Sequence, residues 1–273
     1  MNKTILTVAL AASLFTSAHA QTSNLTVQGT MDYESQYIFR GKKITNSAFQ
    51  PSVNASYAIG GGSINGYVWT SQPIGRAAAN TNEIDAGLAY THTLTGISDD
   101  ITGEIGYQLY WYPDSGGNNT VAASTHELHV GVTYDSTKLI GYNLSPMLFY
   151  YHDLILDSNT LQTGVSYSWD VSDSVGVKGV SVNPSATLGY TEIGRAFGDA
   201  AIPAGVGNWK NSYWFYQLNV EVDYKFNPTT TAFLGVHYAG NTDGTNGGIF
   251  GTNPQAPGSA NSIWFGLGVK FNM

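Results

Sequence analysis

Apolar and polar residues alternate one by one along most of this chain. In YWFYQLNVEVDYKF, residues 213–226, Trp214, Tyr216, Leu218, Val220, Val222, Tyr224 and Phe226 share one face, while Gln217, Asn219, Glu221, Asp223 and Lys225 share the other. A period of two is that of a β-strand, whose successive side chains leave opposite sides of the pleat. The pattern recurs over Leu25 to Tyr37, Phe49 to Ile59, Ser63 to Thr70 (ambiguous in phase), Glu83 to Thr93, Ile101 to Tyr112 and Thr125 to Tyr134. The second half repeats it over Leu144 to His152, Leu161 to Asp170, Val180 to Thr191, Tyr213 to Phe226, Thr230 to Tyr238 and Ser262 to Met273. About twelve strands, with no helix-period segment and no dividing linker, predict an all-β fold over residues 21–273.

The joins between these runs alternate in length. RGKKITNSA, SQPIGRAAAN and the stretches near Pro113–Ser124, Gly194–Asn211 and Gly240–Ala260 are long, whereas Gly60-Gly61-Gly62, LTGISDD and Asn227-Pro228-Thr229 are shorter. Short turns at one end and long loops at the other, on an even number of strands, are features of a transmembrane antiparallel up-and-down β-barrel. Short turns and both termini are then expected in the periplasm, and long loops outside.

Alternation alone does not say which face is inside, since a soluble sandwich or barrel buries its apolar face. Position along the strands does. On the apolar face, Tyr37, Phe49, Trp111, Tyr150, Tyr190, Trp214, Tyr216, Tyr238 and Phe265 gather at the outer end, and Tyr57, Tyr134, Tyr167, Trp169, Tyr224, Phe226 and Phe271 at the other. Aliphatic residues such as Leu88, Val130, Leu218, Val220 and Leu234 lie between. Two aromatic girdles around an aliphatic band are the signature of a lipid-facing wall. The polar face then lines a lumen.

The remaining features narrow the setting. MNKTILTVALAASLFTSAHA opens with Lys3, an apolar run from Ile5 to Phe15 and an A-x-A site, so residues 1–20 read as a cleavable secretory signal. There is no cysteine, hence no disulfide framework, and 19 acids against 11 bases argue against a nucleic-acid partner. In SIWFGLGVKFNM, Gly266, Val269 and Phe271 are spaced as in the aromatic-ended last strand that the barrel assembly machinery recognises, with Asn272 and Met273 following.

Several segments together resemble the TorF porin family, a proteobacterial outer-membrane group. YIFRGKKITNSAFQPSVNASY, Tyr37 to Tyr57, is similar to that family's first hairpin, and NEIDAGLAYTHTL, ITGEIGYQLYWYP and HELHVGVTYD to strands after it. The likeness covers mainly Leu25 to Asp135, and Lys42-Lys43 stand where the family more often has uncharged polar residues. It implies a barrel with a channel role, no known substrate and no catalytic set.

On the polar face, Asp32, Glu34, Glu83, Asp85, Glu104, Glu127, Asp170, Glu221 and Asp223 face only Lys225 and Lys270. Ionised carboxylates in a narrow wet pore attract cations, so passive diffusion of small solutes with cation preference is expected; in a slim twelve-stranded bore the same acids could instead crosslink a plugged interior. Arg40, Lys42 and Lys43, in the first outer loop, are candidates to hold lipopolysaccharide phosphates. HELH, His126 to His129, is metal-like only until the strand period is applied: His126 points to lipid, and only Glu127 and His129 share the lumen. His237 also faces inward, nearly across the bore. No metal or cofactor is expected. A lipid hydrolase using His126 or His152 near the outer rim, with Ser124, has no accompanying motif, and a closed structural or adhesive barrel is the other alternative; no enzyme activity is expected. Lipids, lipopolysaccharide, the assembly machinery and small solutes are the expected partners, with the oligomeric state open.

Overall fold

The computed structural model describes residues 24–74, 82–113, 124–192, 212–242 and 261–273. The expected signal segment and most of the expected long loops lie outside these residues. The strands are β1 (Leu25–Glu34), β2 (Tyr37–Phe39), β3 (Lys42–Thr45), β4 (Ala48–Phe49), β5 (Ser52–Ile59), β6 (Gly62–Pro73), β7 (Glu83–Thr93), β8 (Ile101–Trp111) and β9 (Ser124–Tyr134). They continue with β10 (Met147–Asp153), β11 (Ser158–Ser166), β12 (Trp169–Asp170), β13 (Val180–Glu192), β14 (Ser212–Asn227), β15 (Thr230–Asn241) and β16 (Asn261–Asn272). Each wall strand pairs antiparallel with its neighbours in sequence; β11 meets β13, and β1 meets β16, closing the ring. With β4 and β5 as one stave and β11 and β12 as another, the wall is a closed barrel of twelve strands. Closure removes the open sheet edges that hydrocarbon would leave unsatisfied.

Two prolines sit where the ladder can spare a donor. Pro51 falls in the break between β4 and β5. Pro184, inside β13, lies between the Ser166–Ser185 and Trp169–Val182 pairs, where the neighbouring stave is interrupted. Proline has no N–H to give a ladder.

The alternation sorts the side chains as the membrane reading requires. Leu88 (60% exposed), Ile105 (63%) and Val130 (53%) stand in a belt of outward aliphatics, and Trp111, Trp214, Phe265, Trp169 and Phe226 are exposed toward the barrel ends. β6 resolves its phase: Tyr67 and Trp69 line the cavity described below, and Val68 between them is exposed. Tyr37 is the exception in the expected girdle, because the chain leaves the wall at Ser35 and carries it inside.

Inside, large side chains rest on glycines across the ladder. Gly87 is paired with Tyr67, Gly131 with Phe149, Gly189 with Phe215, and a Cβ built on any of these glycines would overlap the partner's ring. Cross-strand pairs are the unit of sheet packing, and a bare backbone opposite a ring lets it lie flat. Gly131→Val should therefore cost about 1–3 kcal/mol by overpacking, measured as a lower urea midpoint of the refolded barrel, while Thr133→Val, an exchange of nearly equal size on the same strand, should leave it nearly unchanged.

The expected regularity of the joins is looser than the sequence suggested. At the end where β1 begins and β16 finishes, Gly60-Gly61 and Pro228-Thr229 are two-residue turns, but residues 135–146 and 171–179 carry one-turn helices at Thr137–Ile140 and Ser172–Val175. At the opposite end the join between β10 and β11 is only residues 154–157. Polar contacts tie down the longer turns: the Thr137 hydroxyl and backbone N–H donate to Asp135, holding its carboxyl below the usual range, and Lys138, 2.6 Å from Asp100, is raised by that bond.

Candidate functional site

The lumen is built by the inward half of each strand and by one element that leaves the wall. After β1 the chain turns in and forms the β2–β3 hairpin, a two-stranded sheet separate from the barrel. Its two-residue turn, Arg40-Gly41, has positive φ at both positions (46° and 73°), the geometry that suits a tight hairpin. Arg40 in the left-handed region is strained, and such strain persists only where the surroundings impose it.

Those surroundings span the bore. Toward the β14–β16 wall, Ile38 packs on Ala239 and Trp264, the Asn241 side-chain amide donates to the Gly41 carbonyl at 2.7 Å, and the Lys42 ammonium sits 4.6 Å from the Tyr213 ring. A Cβ at Gly41 would stand 2.8 Å from Phe215 Cβ, so only glycine fits this approach. Toward the other wall, Tyr37 packs on Trp69 (5.4 Å between rings) and Phe39 on Tyr110 (5.9 Å). Arg40 reaches Glu127 on β9 through two parallel hydrogen bonds of 2.9 Å. Its guanidinium lies 4.8 Å from the Phe39 ring and 5.0 Å from that of Tyr151.

Glu127 is buried, with its side chain 2% exposed, and its charge is fully answered. Besides Arg40 it accepts from Gln108 (2.7 Å) and Tyr110 (3.2 Å), and Gln108 in turn accepts from Tyr67 (2.7 Å). A buried ion pair holds only when its remaining lone pairs are satisfied in this way. Nearby, Glu83 accepts from the Tyr112 hydroxyl at 3.3 Å beside the buried Asp85.

A second network lies lower on the opposite wall. The Lys270 ammonium contacts Glu221 at 2.5 Å and Asp223 at 3.2 Å, over the Phe233 ring at 4.7 Å. Above it His237 stacks on Trp264 (5.1 Å, 25°) and bonds the Asn219 side-chain oxygen at 2.8 Å. Glu34 Oε1 is 3.8 Å from His237 Nε2. Glu104 and His129 form a third contact at 3.0 Å. Two cavities flank the hairpin, one of about 450 Å³ touching Arg40, Asp85 and Tyr151, and one of about 470 Å³ touching Glu34, Glu221 and His237; both are bounded by Tyr37, Ile38 and Gln217.

The sequence-predicted acids thus divide. Asp32, Glu34, Glu83, Asp85, Glu104, Glu127, Glu221 and Asp223 are buried or half-buried, and Lys270 joins two of them. Asp170 is exposed at the end where β1 begins and β16 finishes, accepting the Ser172 backbone N–H at 2.9 Å, and Lys225 is exposed near that same end of β14. Neither belongs to the bore, because both strands run past its narrow part. The outer-loop basic cluster is also corrected: Arg40 and Lys42 turn inward with the hairpin, Lys42 being 1% exposed, and only Lys43 is left half-exposed. Glu127, 87 positions away, draws Arg40 across the lumen.

Asp153 is a buried inner group that the sequence reading missed. It accepts from Thr125 and from the backbone N–H groups of Ile155 and Leu156, fixing the four-residue join. An Asp closing a strand before such a short join was the available signal. His126 and His152 face outward; Tyr107 bonds His126, and His152 Nδ1 is 2.9 Å from the Asn159 side-chain oxygen. Among the described residues no three His, Asp or Glu groups are placed to hold a metal ion.

Comparison with known proteins places this geometry among barrels. Residues 18–211 match the family described as a bacterial protein of unknown function, Gcw_chp. No curated protein matches the sequence. Among solved structures, LpxR from Salmonella typhimurium has a TM-score of 0.50 at 10% identity, over 90% of this chain and 99% of that one. The KdgM porin (0.48, 11%, 90% and 98%) and an outer membrane channel from Pseudomonas putida F1 (0.46, 10%, 94% and 98%) are also similar. At such identities the likeness concerns the fold alone.

Proposed function

Because this chain belongs to the Gcw_chp family of bacterial proteins of unknown function, its role has to be argued from its own geometry, and we propose that it is an outer-membrane channel for passive diffusion of small solutes. The observation that carries this reading is the pair of polar cavities on either side of the β2–β3 hairpin, sharing Tyr37, Ile38 and Gln217. A wall greasy outside and hydrophilic inside, with a cavity on each side of a shared partition, is the arrangement expected of a narrow pore. The likeness of Tyr37 to Tyr57 to the TorF porin family favours the same role. Outer-membrane lipids would cover the outward belt, and the barrel assembly machinery would receive the last strand. No bond chemistry is assigned to any residue.

Cation preference belongs to this proposal. Asp32, Glu34, Glu83 and Asp85 have no Lys or Arg ion-pair partner among the described residues, so wherever they are ionised the field along the path is negative. In planar bilayers under a potassium chloride gradient, the reversal potential should have the sign of cation selectivity, and Asp32→Asn with Glu34→Gln should shift it toward zero. Steady unitary current with anion preference would remove the selectivity, and no steady current at all would remove the channel.

A second reading has one observation in its favour. The Arg40–Glu127 pair ties the hairpin to β9 and the Asn241–Gly41 hydrogen bond ties it to the β14–β16 wall, which would suit a shut barrel serving a structural or adhesive role through its outer end. The same recording separates the two.

A further inference from the structure

We propose that the cavity of about 450 Å³ beside Arg40 is a binding site for an uncharged saccharide ring. The proposal deepens the channel reading, which it assumes for the route of entry. The volume is in the range of small-ligand sites. What distinguishes it is which polar groups remain unused. Arg40 and Glu127 answer each other through two hydrogen bonds, and Gln108 and Tyr110 are committed to Glu127 as well. By contrast, the Gln162 carboxamide and the hydroxyls of Thr187 and Tyr151, all on the cavity wall, make no hydrogen bond among the described residues.

A carboxamide and hydroxyls offer donors and acceptors in the mixture that vicinal hydroxyl groups need. They share the cavity with the Trp69 and Tyr37 rings, packed together at 5.4 Å, and an indole or phenol face accepts the C–H side of a pyranose by dispersion and apolar burial. Charge selects for neutrality. An anion entering here meets the Asp85 carboxylate, and a cation meets the Arg40 guanidinium, both on the cavity wall. Asp85, 6% exposed, has one carboxylate oxygen without a donor, so an incoming hydroxyl that displaces the side chain slightly gains a strong acceptor.

The test uses the full-length barrel refolded in detergent micelles and in planar bilayers, with maltose as probe and choline chloride as a cationic control. Maltose should change the tryptophan fluorescence saturably and interrupt the unitary current in a concentration-dependent manner; choline should do neither. Gln162→Leu should weaken maltose binding roughly tenfold, the effect of losing a matched hydrogen-bonded contact, and Trp69→Ala should abolish the interruptions. Folding of each variant is checked by its heat-modifiable gel mobility, and Gln162→Leu, whose side chain holds nothing else in place, keeps the test available if Trp69→Ala does not fold. A conducting barrel that ignores maltose, or binds choline instead, overturns the site while leaving the channel standing. Maltose binding by a barrel without steady current overturns the channel while leaving the site.

Discussion

Arg40→Ala should both weaken the barrel and widen its conduction path. Removing the guanidinium leaves Glu127 buried with only the Gln108 and Tyr110 donors, and stripping one partner from a buried pair costs about 3–5 kcal/mol. The same change cuts the only ionic tie among the described residues between the β2–β3 hairpin and β9, so on that side the hairpin keeps only the Tyr37–Trp69 and Phe39–Tyr110 ring contacts and can shift toward the β14–β16 wall. Unitary conductance should rise about twofold or more, since flow through a constriction is governed by its narrowest section. Replacing both members, Arg40→Met with Glu127→Leu, should recover most of the urea midpoint, as apolar substitutes for buried pairs do, while keeping the larger current. Lost stability with unaltered conductance would mean that the hairpin is not the constriction.

Val220→Arg should impair insertion most among single changes to the wall. Val220 is 48% exposed near the middle of β14, and a cation on the lipid face at mid-depth costs about 2–4 kcal/mol, falling to about 0–1 near the interface. Phe226→Arg, on the same face but at the strand's end, is the matched control. Urea-titrated folding into phospholipid vesicles should show a clear loss for the first and little for the second. Equal folding of both variants would mean that this face does not meet hydrocarbon.

The wall was legible in the sequence because lipid and lumen impose opposite demands on adjacent residues, and Glu83–Thr93 and Val180–Thr191 could be read almost to the residue. The hairpin was not. Tyr37 keeps the phase of Tyr33, so it passed for a continuation of β1, and the charges of RGKKIT passed for an outer loop placed to hold lipopolysaccharide phosphates. What sends that segment inward is a partner 87 positions away and a glycine fitted against Phe215. Local periodicity carries no record of such long-range choices. For the same reason Lys42, buried against Tyr213, passed for a contact to lipopolysaccharide phosphate. Parity alone assigned the acids a side, and eight of those nine are buried or half-buried; Asp170 and Lys225 lay too near the strand ends for parity to mean a place in the bore.

The seam of the ring carries a kinetic consequence. β1 meets β16 from Gln28–Asn272 to Glu34–Gly266, and the backbone of Val27 exchanges hydrogen bonds with Met273. These partners stand almost a whole chain apart, so zipping the final pair of staves requires fixing the largest loop in the molecule, and ordering of that kind is slow. Until it happens, two naked ladders remain open to strangers. Escort of the nascent polypeptide matters most at that last stage, and the rate of seam formation, more than the strength of any one contact, should set how much of it matures and how much clumps.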